Sequence, residues 1–140
     1  MTEFDQLRSA MKDSSELWDA GEPGKALELL NNSITAAVQE NRNSWIRTLA
    51  HHAAVIAGSV GDLGLVKHYY EQSLAYNPGN PRALYGLAKT SLELGETELA
   101  MSYAIKCREA VLHSDDDMDR GLLELIAKRW PELGEQKAEE

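Results

Sequence analysis

The chain has little of several things, and each scarcity excludes something. It has one cysteine, Cys107, so no internal disulfide can form, and this fits a reducing compartment. Basic residues number 14 against 23 acidic ones, giving a net charge of −9. Without basic counter-charge, nucleic acid and anionic membrane surfaces are excluded as main ligands. No long hydrophobic run is present. The longest uncharged stretch, 48–61, is too short and too interrupted by glycine and histidine to span a bilayer. The start, Met1-Thr2-Glu3-Phe4-Asp5, is acidic and lacks the apolar run of a secretory signal. There is no Gly-rich phosphate loop, nucleophile elbow or His-x-x-x-His pair, so no enzymatic chemistry, cofactor or metal is expected.

What is present is enough for a folded core. The 43% hydrophobic content is that of a globular chain. At 140 residues it fits one domain, expected over 1–131, that buries roughly two thirds of its unfolded surface. The acidity is concentrated at the C-terminus: residues 115–140 hold nine acidic and four basic side chains, and so carry −5 of the charge. Residues 132–140 are expected to form a flexible tail.

The strongest signal is internal repetition. Gly61 and Gly95 are 34 residues apart, and the same offset pairs Ala54 with Ala88, Tyr69 with Tyr103, and Ser73 with Cys107. Two helices of about 12–15 residues and two short turns fill roughly 34 residues. Small residues at 54 and 88 let the helices approach closely. A glycine at 61 and 95 supplies the positive φ that ends the first helix. Asp62 and Glu96 place negative charge where the next helix starts. Asn80-Pro81 reads as an N-cap followed by proline at the first helical position. An earlier unit is spaced differently. Gly21 lies 40 residues before Gly61, so six residues are extra, and they are expected to lengthen the second helix and its polar exit.

Apolar periodicity and turn residues predict helices over 3–20, 24–40, 45–59, 62–76, 81–94 and 96–112. Phe4, Leu7, Met11 and Trp18 mark the first stripe. Ala26, Leu27, Leu30, Ile34, Ala37 and Val38 mark the second. Ser44 is the expected cap of the third helix, which is apolar nearly all round, as befits the middle of a stack. Ser114-Asp115-Asp116-Asp117 is expected to start a seventh helix over 115–130, with Leu122, Leu125, Ile126 and Trp130 as its buried stripe, ended by Pro131. Such a helix would cover the open face of the last repeat.

These residues resemble the tetratricopeptide repeat family. One full unit runs Ala50, Ala53, Ala54, Gly61, Val66, Ser73, Pro78, and the next runs Leu84, Leu87, Ala88, Gly95, Ala100, Cys107 without a closing proline. The likeness covers 47–112 well. Ala26, five residues after Gly21, extends it to an earlier unit. It implies an all-α, right-handed helical-repeat stack of three helix pairs (about 4–40, 45–78 and 81–112) with a C-terminal capping helix. It also implies binding of a protein or peptide partner in a groove lined by the first helix of each pair. The groove positions are Met11, Ser15 and Trp18 in the first pair; Thr48, His51 and Val55, with His52 beside them, in the second; and Arg82, Tyr85 and Lys89 in the third, continuing to Leu92. Arg82, Tyr85 and Lys89 are spaced three and four apart, on one helix face, and suggest an acidic or carboxylate-bearing peptide. Some family members clamp a C-terminal carboxylate. The corresponding positions here are Met11, Ser15, His52, Arg82 and Gly86, of which only Arg82 has the required chemistry, so that clamp is not expected.

Three smaller features have structural explanations. His51 and His52 are adjacent, so on a helix they point about 100° apart and do not chelate one ion. His113 with Asp115, Asp117 and Asp119 resembles a cation loop, but Arg120 stands where a calcium loop needs glycine. Cys107 takes the place of Ser73 in the repeat frame and reads as a small packed residue.

The sequence thus reads as a cytoplasmic, non-enzymatic interaction module, an adaptor that is a monomer or homodimer. The alternatives are a small chaperone of the same repeat class, serving a secreted or assembling partner, and a structural homo-oligomer.

Overall fold

In the computed structural model the described residues are 3–114 and 119–133. The stripe position given to the Phe4 side chain, and the acidic run at 115–117, lie outside what is described. Seven helices follow in order: α1 (Glu3–Asp19), α2 (Pro23–Gln39), α3 (Asn43–Ser59), α4 (Leu63–Tyr76), α5 (Pro81–Glu93), α6 (Thr97–Leu112) and α7 (Gly121–Arg129). No strand is present among the described residues. The chain divides into two compact units, Met1–Asn77 with α1–α4 and Pro78–Glu140 with α5–α7.

Four turns share one geometry. Gly21, Gly61 and Gly95 have φ of 79°, 75° and 81°, and Asn41 joins them at 57°. At each, the residue's own N–H and the next N–H reach back to carbonyls of the preceding helix. Gly61 donates to Gly58 and Asp62 to Ala57; Asn41 donates to Val38 and Arg42 to Ala37. This satisfies the carbonyls a helix end leaves open. Asparagine tolerates the left-handed region because its short polar side chain bonds locally.

Helix starts follow the local chemistry in part. Asp62 Oδ1 accepts from the Leu65 N–H at 3.1 Å, and Asn80 Oδ1 from the Arg82 N–H at 3.1 Å. Ser44 does not cap α3, which begins one residue earlier. Arg42 stands at the N-cap, with its guanidinium 4.3 Å from the Trp45 ring and 2.8 Å from Glu40. The six extra residues of the first repeat are shared between two helices. α2 and α3 have 17 residues each, against 14 in α4 and 13 in α5, while the turn at 40–42 is one residue shorter than that at 77–80.

In the first unit α3 is central. Ile46, Leu49, Ala50, Ala53, Ala54, Ile56 and Ala57 are all buried, between α2 and α4, with α1 along one edge. Ala26, Leu30, Ile34 and Ala37 of α2 and Val66 and Tyr69 of α4 complete that core. Val38, placed on the stripe from sequence, is instead 42% exposed, in the last turn of α2. In the second unit Ala83, Leu84, Leu87 and Ala88 meet Ala100, Ala104, Cys107 and Val111. There α7 starts at Gly121 rather than at 115, after a turn at 119–120 whose carbonyls accept from Leu122 and Leu123. Its Ile126 is buried while Leu125 is 41% exposed. The fold does not stop at Pro131. A short helical turn at 131–133 buries Leu133, and Arg108 Nη1 donates to the Leu133 carbonyl at 3.0 Å.

Candidate functional site

The first unit presents a surface on α1 and α3. Met11, Ser15 and Trp18 are spaced four and three apart on α1, and all are half-buried. Met11 and Trp18 rest partly on the core, so only one side of each faces outward. On α3, Thr48 and Val55 are exposed, and the Thr48 hydroxyl is spent on the Ser44 carbonyl of its own helix.

The two adjacent histidines diverge. His51 packs edge-on against Tyr70 of α4, ring centroids 5.4 Å apart. His52 turns to α1, where a ring nitrogen is 3.3 Å from Ser15 Oγ and the ring stands edge-on to Trp18 at 6.4 Å. The α1/α3 surface is therefore built by Ser15, Trp18 and His52 with Val55, and His51 belongs to the α3/α4 packing. The spacing does not separate the two, since His51 lies three after Thr48 and four before Val55, and His52 four after and three before. Burial lowers the His52 pKa from its ordinary value, so the neutral ring is favoured. Among the described residues no charged side chain is paired with it, and the surface is apolar with a polar tip.

The second unit presents a face on α5. Arg82 and Lys89 are exposed and Tyr85 is half-buried. Two of the three are already engaged. Arg82 Nε lies 3.5 Å from Asp119 Oδ1, and Asp119 is nearly buried and also accepts from Ser114 Oγ at 3.1 Å. The Tyr85 hydroxyl accepts from Arg129 Nε at 3.2 Å. From sequence Asp119 was weighed only as part of a cation-loop pattern and Arg129 not at all; no local pattern ties either to α5, which they reach from 37 and 44 residues along the chain.

The remaining candidates are structural. Cys107 is buried, its Sγ reaching the Pro81 carbonyl at 3.2 Å, and burial with the nearby Asp119 charge pushes the thiol up to about 12. His113 Nδ1 turns back to the Glu109 carbonyl at 2.7 Å. Among the described residues no three His, Cys, Asp or Glu side chains are grouped to hold a metal, and no helix is long and apolar enough to cross a membrane.

Paired helices closed by left-handed turns at a 34-residue spacing define a helical-repeat protein. Residues 60–104 match the family model of the tetratricopeptide repeat. No curated protein matches the chain by sequence. Solved structures match it in fold. The type III secretion chaperone SycD of Yersinia enterocolitica, in complex with a peptide of the translocator YopD, is 15% identical, with a TM-score of 0.74 over 97% of this chain and 99% of that one. An alternative dimer of the same chaperone is 17% identical, with a TM-score of 0.73 over 97% and 98%. The first tetratricopeptide repeat domain of Spaghetti (RPAP3), bound to the HSP90 peptide SRMEEVD, is 11% identical, with a TM-score of 0.65 over 89% and 93%. At these identities the likeness is one of fold.

Proposed function

We propose that the chain is a non-enzymatic interaction module that binds a peptide segment of another protein. The observation that carries this is the surface built by Ser15, Trp18, His52 and Val55. It sets two half-buried rings and an exposed valine side by side on the first helices of two successive pairs, outside the core they flank. Aromatic side chains held in place by their neighbours are typical anchors for a bound chain. Support also comes from the fold-related SycD and Spaghetti structures, both of which hold a peptide. The α5 face, with Tyr85 and Lys89, favours an acidic or carboxylate-bearing segment. The charge of −9 disfavours nucleic acid and anionic membranes, and the lone thiol fits a reducing compartment such as the cytoplasm.

The narrower reading, a dedicated chaperone for a secreted or assembling partner, is favoured by SycD matching over nearly its whole length. A homodimer is the reading to set against a monomeric adaptor, and light scattering over a range of concentrations separates them.

A photo-crosslinking residue at Val55, with one at Val38 as control, tests peptide binding in the native cell. The two positions are similarly exposed, at 40% and 42%, and lie on different helices of the same unit. A crosslinked partner at position 55 and none at 38 is expected. Equal capture at both, or none at 55, overturns the reading.

A further inference from the structure

We propose that Arg129 of α7, rather than Arg82 of α5, is the residue that gives the α5 face its preference for acidic peptides. This rests on the peptide-binding reading above and adds the determinant of its specificity.

The positive charges near this face are spent differently. Arg82 is the obvious candidate, first on the face and at the start of α5. Its guanidinium, however, faces Asp119, a carboxylate nearly out of solvent and held from its other side by the Ser114 hydroxyl. A buried carboxylate keeps its counter-ion, because losing it would leave an uncompensated charge. An incoming carboxylate would have to displace Asp119 and strand it. Arg82 therefore serves the fold of the second unit.

Arg129 is placed the other way. It sits in the last turn of α7 and is exposed. Among the described residues only its Nε is committed, to the Tyr85 phenol oxygen. Both terminal nitrogens of the fork remain as donors, in the planar arrangement that matches a carboxylate. Lys89, four residues after Tyr85, lies on the same face of α5 and is exposed. Among the described residues neither Arg129 nor Lys89 forms an ion pair. Tyr85 thus stands beside two cations that no described residue compensates, in a protein of net charge −9. The hydrogen bond from Nε fixes the guanidinium, which lowers the ordering cost of binding. The complementary partner is an extended segment with an Asp or Glu side chain, or a chain-terminal carboxylate, next to a group that packs on the Tyr85 ring.

The test is selection from a phage-displayed library of random dodecapeptides by the full chain, with an unrelated folded protein as control bait. Wild type, Arg129→Glu and Arg82→Gln are compared, and circular dichroism checks that each is folded. Peptides selected by wild type are expected to be at least threefold enriched in Asp and Glu. Arg129→Glu is expected to abolish that enrichment and Arg82→Gln to keep it. A synthetic peptide from the selection should then bind Arg129→Glu at least tenfold more weakly, and Arg129→Lys with an intermediate loss. Peptides that are selected but show no acidic enrichment, or an enrichment that survives Arg129→Glu or vanishes with Arg82→Gln, overturn the assignment and leave peptide binding standing. A library with no binder above control overturns the peptide-binding reading, and the assignment with it.

Discussion

Ser73 and Cys107 make the same hydrogen bond one repeat apart. Ser73 Oγ donates to the Arg47 carbonyl at 3.1 Å, and Cys107 Sγ to the Pro81 carbonyl at 3.2 Å. Donors and acceptors are both offset by the 34-residue period, and both side chains are fully buried. In each case the second helix of a pair is tied to the N-terminal part of its partner. Ser33, twelve residues after Gly21 as Ser73 is after Gly61, bonds within its own helix to Leu29 instead. Cys107→Ser should therefore keep the stability of the fold within ~1 kcal/mol, whereas Cys107→Ala and Ser73→Ala should each lose roughly 1–2 kcal/mol in chemical denaturation. The thiol should resist Ellman's reagent until the protein unfolds, since burial raises its pKa to about 12. That raised value favours the protonated thiol in the fold. Its contribution is complete below the ordinary value of 9 and is lost as pH rises toward 12. Rapid native labelling at neutral pH would contradict this placement.

The four left-handed turns separate backbone cost from packing cost. A Cβ built on Gly61 or Gly95 would meet nothing within 4 Å, so only the dihedral angle opposes a side chain. Gly61→Ala and Gly95→Ala are each expected to cost ~1 kcal/mol. Asn41→Gly should be neutral within a few tenths of a kcal/mol, and Asn41→Val should cost the most of this series, because a β-branched residue is poorly tolerated at positive φ. Melting curves of the four variants check the order.

Ser91 is the repeat counterpart of Ala57, and both are fully buried. The Ser91 hydroxyl has no hydrogen-bond partner among the described residues. An orphaned buried hydroxyl keeps its desolvation cost without return. Ser91→Ala should raise stability by ~1 kcal/mol, measured by urea denaturation. A loss of similar size would mean that the hydroxyl is satisfied in solution.

Much of the fold was legible because it is written locally. Gly61 and Gly95 announced two turns, Asn80-Pro81 a helix start, and Ala54 and Ala88 the close crossings. Asn41 hid a fourth turn of the same kind, since asparagine is also common in ordinary polar loops. The spacing from Gly21 to Gly61 revealed six extra residues but not their division between α2 and α3, because adding a helical turn leaves each apolar stripe in phase. The α5 face was half legible. Its spacing showed which side chains share a side, while Asp119 and Arg129 arrive through tertiary packing that no local pattern encodes. His52 was eclipsed by His51 because their 100° separation sends one to α1 and the other to α4, and only the neighbours decide which is which.

The His52 ring gives the first unit a pH response with a definite sign. Burial against Trp18 lowers its pKa below 6.5, so the unfolded chain takes up the proton first. The stability it contributes is complete above pH 6.5 and is lost as pH falls through the lowered folded value. The melting temperature of wild type should fall as pH drops from about 7 to about 5, and His52→Gln should fall less over that interval. Equal slopes would remove His52 from the account.

The C-terminal turn at 131–133 closes the core of the second unit. Leu133 is 2% exposed and Trp130 3%, so residues beyond the expected end of the fold are part of the second unit's core. Arg108 donates to the Leu133 carbonyl and fixes that turn on α6. Ending the chain after Trp130 would remove the Leu133 side chain and this acceptor together. Leu133→Ala isolates the packing contribution and should cost ~2–3 kcal/mol, because the pocket it leaves cannot collapse fully. Arg108→Met keeps most of the side chain's length and removes the hydrogen bond, and it should cost ~1 kcal/mol. If Leu133→Ala melts with wild type, then 131–133 are not anchored in solution, and the fold ends at Trp130.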